Sequence, residues 1–273
     1  MSRLLHSGFV RAWKDPLVRM GIVSMFLLSV FLVVLTYYTG VKENEEMYLY
    51  EIMYIYLGII ALISAVFCSY LSGQEYYDGA IRNKLIVGHS RVSIYLSNLV
   101  VNVVVVLSLW LLSFLTECVL GLLLLDGLGG NVDKVFSIFF GSILTIVALC
   151  AIFTLIAMSG QNHKTSDTIC LLTVGIMLFV SLYLTYMMSE LDAYDRDIKE
   201  GIVVTITKED ALYPVLKNRG AYEFCYDFLP SGQIIQYISK DVRRPEQLLL
   251  CSAGIIIVTT FFGTFLFCRK NIQ

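Results

Sequence analysis

Six runs in this chain, residues 20–39, 52–71, 92–116, 135–158, 168–189 and 247–268, contain no Asp, Glu, Lys or Arg. Each reaches the roughly 20 residues that a helix needs to cross about 30 Å of hydrocarbon. A backbone in lipid has no water to bond to, so helices are the reasonable spanning form. None of the runs contains proline, and each reads as one unbroken helix. The composition agrees: 57% hydrophobic and 15% charged residues in 273 describe a polytopic membrane protein, all-α, rather than a soluble domain. The net charge of −2 says little about partners, because the charges are sorted by position. No basic face survives that sorting, which leaves nucleic-acid binding without support. No internal repeat or linker divides residues 1–273, so they read as a single domain.

The short connections fix an orientation. Residues 1–19, the connection 72–91, the connection after the fourth run and the carboxyl end together hold ten Lys and Arg, against Lys42 and Lys134 alone in the first and third connections. By the positive-inside rule the first group faces the cytoplasm, with both termini inside. Residues 190–246 are then external. This segment holds a β-rich stretch at 202–207 and two short apolar segments broken at Pro230, with Ser231 a candidate helix cap. Segments of that length are too short to span and fit the outer leaflet or the top of the bundle. Pro245 and Glu246 suit the first turn of the sixth helix.

Residues 1–19 interleave Arg3, Arg11, Lys14 and Arg19 with Leu5, Phe9, Trp13 and Leu17, which recur every fourth residue. That spacing predicts an amphipathic helix lying in the headgroup plane, ended or bent at Pro16. The apolar run begins too late and lasts too long for a cleaved secretory signal. Tyr37, Tyr38, Tyr48, Tyr50, Tyr183 and Tyr186, near the ends of runs, fit an interfacial aromatic belt.

The polar island at 72–91 is longer than a simple helical turn needs. From Tyr76, residues Ile81, Leu85 and Ile86 fall on one helical side, with Asp78, Arg82 and Asn83 elsewhere, which predicts a short amphipathic helix suited to docking a partner. Glu75, where the second span leaves the membrane, is placed to pair with a base on the first helix or with Arg82. Its wording, Glu75, then Asp78-Gly79-Ala80-Ile81-Arg82-Asn83-Lys84-Leu85, then Gly88-His89-Ser90-Arg91, resembles the loop after the second span in ABC-2 type permease subunits, where a Gly-(Thr or Ala)-Ile-Arg-Asn-Lys run is common. The Leu229-Pro230-Ser231-Gly232-Gln233 string likewise resembles one found before the last span of such permeases.

The resemblance implies six transmembrane helices, a connecting helix at 1–19 and a cytoplasmic coupling helix between helices two and three. In this reading Glu75, Tyr76, Asp78, Gly79, Ile81, Arg82, Asn83, Lys84 and Leu85 transmit the closure of a separate ATP-binding subunit. It implies two such subunits, which use ATP and Mg, and a second permease, identical or related, in a cell membrane, typically the bacterial plasma membrane. It also implies that spans two and five line the pathway. They are largely apolar here, with Tyr54, Tyr56, Thr173 and Ser181 among the few polar groups, which favours an amphipathic, lipid-like or hydrophobic-peptide cargo.

The chain carries no ATPase motif of its own. The nearest approach to a phosphate loop, 160–165, has His163 where the second glycine belongs and follows a membrane run instead of a strand. Leu71-Ser72-Gly73-Gln74 echoes an ATPase signature but has no nucleotide fold around it. Six of the seven cysteines fall in or at the ends of apolar runs and Cys225 stands apart, so neither a disulfide nor a metal or cofactor site is expected. Glu117 follows 25 uncharged residues and is a candidate pathway or ion-linked acid. Asn98 and Asn102, four apart, are candidates to join helices. Two other classes compete: a non-transporting membrane sensor, and an ion-coupled secondary carrier, which predicts several intramembrane ionisable groups and broken helices.

Overall fold

A computed structural model describes residues 1–43, 45–160, 163–199 and 219–270, and among these the fold is helical without strands. The helices are α1 (Ser2–Lys14), α2 (Pro16–Glu43), α3 (Leu49–Ile52), α4 (Leu57–Tyr77), α5 (Ala80–Ile86), α6 (Arg91–Leu124), α7 (Val132–Ser159), α8 (His163–Lys199), α9 (Arg219–Phe228), α10 (Pro230–Ser239) and α11 (Pro245–Arg269). Six stretches are long and apolar enough to span: Pro16–Glu43, Leu49–Tyr77, Arg91–Leu124, Val132–Ser159, Thr165–Tyr194 and Pro245–Arg269. They contain the six charge-free runs and in most cases outrun them, because hydropathy ends where charge begins while hydrogen bonding continues the helix.

α1 stops at Asp15, whose backbone is extended. Its carboxylate accepts from the Leu17 amide at 2.8 Å, and Pro16 opens α2, the cap-then-proline order that suits a helix start. The side of α1 that meets the bundle lies next to the predicted apolar stripe. Leu4, Gly8 and Ala12 face inward, whereas Trp13 is exposed. The reason is close approach to α6: a Cβ at Gly8 would stand 2.8 Å from Val101 Cγ2.

The second span is not continuous, contrary to the unbroken reading of 52–71. α3 ends at Ile52, Met53–Tyr56 leave the helix, and Tyr54 has φ 75. No glycine or proline announces this interruption; tertiary contacts hold it. Tyr54 Oη donates to the Val135 carbonyl at 2.8 Å. The amides of Leu49 and Tyr50 donate to the carbonyls of Gly127 and Leu128 at 2.9 and 3.0 Å, which satisfies the first turn of α3.

α7 is central, packing on α11, α4 and α6, while α8 lies on α4 and α2 on α6. Small buried residues on α4, among them Ala61, Ala65 and Cys68, face Ile146, Cys150 and Phe153 of the same core, the close approach on which helix association in lipid relies. Polar side chains add bonds between helices. Asn102 donates to Ser72 Oγ at 3.1 Å and Thr154 Oγ1 at 2.9 Å, joining α6 to α4 and α7.

Between α8 and α11, the described residues hold the two short helices expected on either side of Pro230. Ser231 does not cap α10, which begins at Pro230 after Leu229; its hydroxyl meets Ser181 Oγ at 2.6 Å and the Met177 carbonyl at 2.9 Å on α8. Gln233 is fully buried and joins three helices. Its Oε1 accepts from Thr145 and Ser252 at 2.6 Å each, and its Nε2 donates to the Asp227 carbonyl at 2.8 Å. Outside the spans, Arg219 and Arg244 each reach Glu223 at 2.9 Å, and the Arg219 hydrogen bond holds that carboxyl below the usual range. The stretch 202–207 lies outside the described residues. Pro245 occupies the first turn of α11 with Glu246, as expected. Tyr37, Tyr38, Tyr183 and Tyr186 are exposed near the ends of their spans, whereas Tyr48 and Tyr50 are half-buried.

Gln233→Leu strands the groups that Gln233 satisfies and is expected to destabilise the protein by about 1–3 kcal/mol, the range for leaving a buried polar partner unmet. Thermal unfolding of the purified protein in detergent measures it, and an unchanged midpoint would show the network to be dispensable.

Candidate functional site

α1, α5, the start of α6 and the ends of α7 and α11 meet at one end of the bundle, and Glu75 is the centre of that meeting. It sits in the last turn of α4 and is 2% exposed. Its Oε1 lies 2.9 Å from Arg11 Nη2 of α1 and 2.6 Å from Lys84 Nζ of α5. Its Oε2 accepts from Asn98 Nδ2 of α6 at 2.8 Å. One carboxylate thus ties four helices together. Arg11 also donates to the Leu71 carbonyl at 3.3 Å. The gap left among Gly8, Arg11, Ser72, Glu75, Asn98 and Asn102 is about 10 Å³, at the lower limit of the space one water needs. The carboxylate is therefore met by protein groups in tight packing, while the Arg11 side chain keeps 32% exposure.

Of the two pairings expected for Glu75, the first-helix base is found and Arg82 is not; Arg82 and Asn83 are exposed, and Lys84 takes the place beside the carboxylate. The turn into α5 depends on Gly79, whose φ of 66 is left-handed and favours glycine. Ile81 is buried, and Leu85 packs with it against Leu4, Ile94, Tyr95, Met158 and Phe267. These come from α1, α6, α7 and α11, so α5 is plugged into the bundle by an apolar pin as well as by an ion pair. The inward side predicted for Ile86 is not found: Ile86 and Val87 are each 76% exposed and Tyr77 is 84% exposed. With Asp78, Arg82 and Asn83 they form the outer face of this end.

Tyr76 closes the other flank. Its hydroxyl donates to the Met158 carbonyl at 2.9 Å, while Lys270 Nζ reaches the same hydroxyl at 3.2 Å, the Met158 carbonyl at 3.0 Å and the Gly160 carbonyl. Arg91 donates to the carbonyls of Phe267, Cys268 and Lys270. Both cations thus sit at helix C-termini, where open carbonyls and the helix dipole favour positive charge. Sequence reasoning did not find Asn98, Arg91 or Lys270 as members of this site, since their partners are distant in the chain; the four-residue spacing of Asn98 and Asn102 was the one signal available.

Of the residues considered for a pathway, Tyr54 and Tyr56 stand beside Glu117, whereas Thr173 and Ser181 lie apart on α8. Tyr54, Tyr56, Glu117 and Ser181 are fully buried inside the subunit, and Thr173 lies on the partly exposed side of α8, its hydroxyl bonded to the Ile169 carbonyl. No group of three metal-ligating side chains occurs among the described residues.

Six membrane-length helices with a short helix ionically anchored at one end define a polytopic membrane protein with one elaborated polar end. The family described as ABC-2 family transporter protein matches residues 9–182, and the chain belongs to that family. The matched region contains Arg11, Glu75, Lys84 and Asn98 and ends within α8. No curated protein matches the chain. Family membership makes this chain the membrane subunit of an ABC transporter, a class that works with ATP-binding subunits.

Two measurements test the site. Glu75→Ala leaves Arg11 and Lys84 without their carboxylate and is expected to cost about 3 kcal/mol, the lower end for buried pairs broken on one side because both cations keep some exposure; Arg82→Ala, at an exposed position, is expected to change stability by no more than about 0.5 kcal/mol. Equal effects in thermal unfolding would remove Glu75 from its central place. The second concerns Lys270, whose burial pushes its ammonium down to about 8 from 10.5. The unfolded chain then binds more protons between those values, so this residue's contribution to stability rises as pH rises through that window and is lost as pH falls through about 8. The thermal midpoint of the wild type relative to Lys270→Met should therefore improve from pH 8 upward; a constant difference would contradict it.

Proposed function

We propose that this chain is the permease subunit of an ATP-driven exporter, that a separate ATP-binding subunit docks on the outer face of α5, and that α5 is the coupling helix. The observation that carries this reading is the Glu75 cluster. A load applied to α5 reaches α1, α4 and α6 through one buried carboxylate, and α6, α7 and α11 through Ile81 and Leu85. Such an end moves as a unit, as a rigid-body transition between inward and outward access requires. Tyr77, Ile86 and Val87, large apolar side chains held out at a polar end, suit a protein partner better than water. Asp78, Arg82 and Asn83 give the same face polar groups for orientation.

In this reading the α5 end is cytoplasmic, in line with the excess of Lys and Arg in 1–19 and 72–91. A second permease, identical or related, packs on the outer side of α8. There Thr168, Leu171, Leu172, Gly175, Ile176 and Phe179 line an apolar groove of about 510 Å³. The cargo is amphipathic, lipid-like or peptidic, because the exposed residues of α8 are apolar over most of its spanning length. The interruption at Met53–Tyr56 revives one feature of the secondary-carrier alternative. It is a single interruption without a counterpart among the described spans, whereas carriers of that kind use broken helices in pairs.

The test is reconstitution with the ATP-binding subunit in lipid vesicles. Proline cannot adopt the φ of 66 at Gly79, so Gly79→Pro with Arg82→Glu is expected to leave insertion intact while permease-dependent ATP turnover falls at least tenfold. Ile86→Asp with Val87→Asp is expected to abolish co-purification of the two subunits. Wild-type turnover and binding in both variants would refute docking at α5.

A further inference from the structure

Glu117 lies on α6 well below the end of that helix and is fully buried, yet neither carboxylate oxygen has a hydrogen-bond partner among the described residues. The Tyr56 hydroxyl, equally buried, is also unpartnered, as are Ser113 Oγ and Trp110 Nε1 on the same face of α6. The backbone beside Glu117 is the interrupted stretch Met53–Tyr56; its Tyr54 peptide N–H faces the acid but does not reach ordinary hydrogen-bond geometry. Tyr50, Tyr54 and Tyr56 from the α3–α4 stretch and Cys118 from α6 are the titratable groups in this neighbourhood. None of these four is basic; Lys240 lies over the Tyr50 ring, 5.0 Å from its centroid, and donates to the Glu51 carbonyl. α2 offers no ionisable side chain between Arg19 and Tyr37, and α7 none between Lys134 and Cys150.

An ionised carboxylate in such a place has neither a counter-charge nor a set of donors, and desolvation of that kind costs several kcal/mol. Two species remove the problem, a bound metal cation or a proton. A metal ion needs several ligands, and no group of three acidic, Cys or His side chains is present among the described residues. A proton needs only one oxygen. It also removes the charge that these surroundings do not solvate. We propose that Glu117 is an intramembrane proton site of this chain: its carboxyl group carries a proton while the Met53–Tyr56 interruption is closed over it, and loses it to water when the interruption opens. In that step the O–H bond breaks, its electron pair stays on the carboxylate, and the proton passes to an entering water. The closed position is held in part by the Tyr54 hydroxyl on the Val135 carbonyl. The inference stands on the surroundings of Glu117 alone and is independent of docking at α5.

Infrared spectra of the full chain in lipid vesicles, with carbon-13-labelled glutamate, read the protonation of this side chain through the carboxylic-acid carbonyl stretch. At neutral pH the wild type is expected to show that band and Glu117→Gln, isosteric with the protonated acid, to lack it. Should Glu117→Gln not fold, Glu117→Asp makes the same comparison, since it moves the acid out of the glutamate-labelled band. Tyr54→Phe removes the hydroxyl tether, worth about one hydrogen bond, so the band should disappear about one pH unit lower than in the wild type. A labelled-acid region identical in wild type and the Glu117 variants would show an ionised Glu117 and overturn the site. An unshifted titration in Tyr54→Phe would overturn its link to the interruption.

Discussion

A carboxylate taken out of water must find its counter-charges within the protein, and at Glu75 that requirement organises one whole end of the molecule. Arg11, Lys84 and Asn98 are brought from three further helices to a single carboxylate. Each helix is thereby fixed relative to the others at the point where a short surface helix, α5, hangs from the bundle. The strength of such a centre lies less in its net contribution to stability than in the penalty for any arrangement that separates its members. Motions that carry all four helices together are inexpensive, and motions that shear one from the rest are not. Arg91 and Lys270 extend the same logic to the far ends of α11 and α7 by occupying their open carbonyls.

Away from that end the bundle follows the rules of association in lipid. Apolar surface has little to gain from leaving hydrocarbon, so contact rests on small residues and on polar bonds between helices. Asn102 ties together α4, α6 and α7 beside the Glu75 cluster, and Gln233 ties together α7, α9, α10 and α11. Glu117 and Tyr56 break this pattern of satisfied polar groups, and they do so where the second span is interrupted. An orphaned acid beside an irregular backbone is a place where the molecule gives up stability, which commonly accompanies function.

The spans were legible because a bilayer fixes helix length, so that hydropathy alone finds each crossing. The segment at Pro230 was legible because proline cannot continue a helix and opens one readily, as α9 and α10 show. The interruption at Met53–Tyr56 was not, since its residues are ordinary helix formers and the left-handed Tyr54 is held by Val135, 81 positions away in the chain. The site was half legible. A lone acid at a membrane exit signals a partner, and Arg11 lay among the candidates, but nothing local distinguishes Lys84 from Arg82 as the base that turns inward. They stand two residues apart, about 200° of helical phase, and flank the Ile81–Leu85 side on opposite hands. In α1 periodicity marked the apolar stripe of Leu5, Phe9 and Trp13, while the side that meets the bundle, Leu4, Gly8 and Ala12, holds a glycine and an alanine that hydropathy does not mark. Periodicity gives the existence of a face, and packing selects which of two adjacent faces it is.

The account turns on the outer face of α5 being the surface that the ATP-binding subunit covers. A single cysteine at Val87, in a chain otherwise free of cysteine, tests it with a membrane-impermeant maleimide applied to vesicles of either orientation. The account predicts labelling in inside-out vesicles alone, and protection when the ATP-binding subunit is added. Labelling from the outside of sealed cells, or unaltered labelling with that subunit bound, would contradict it.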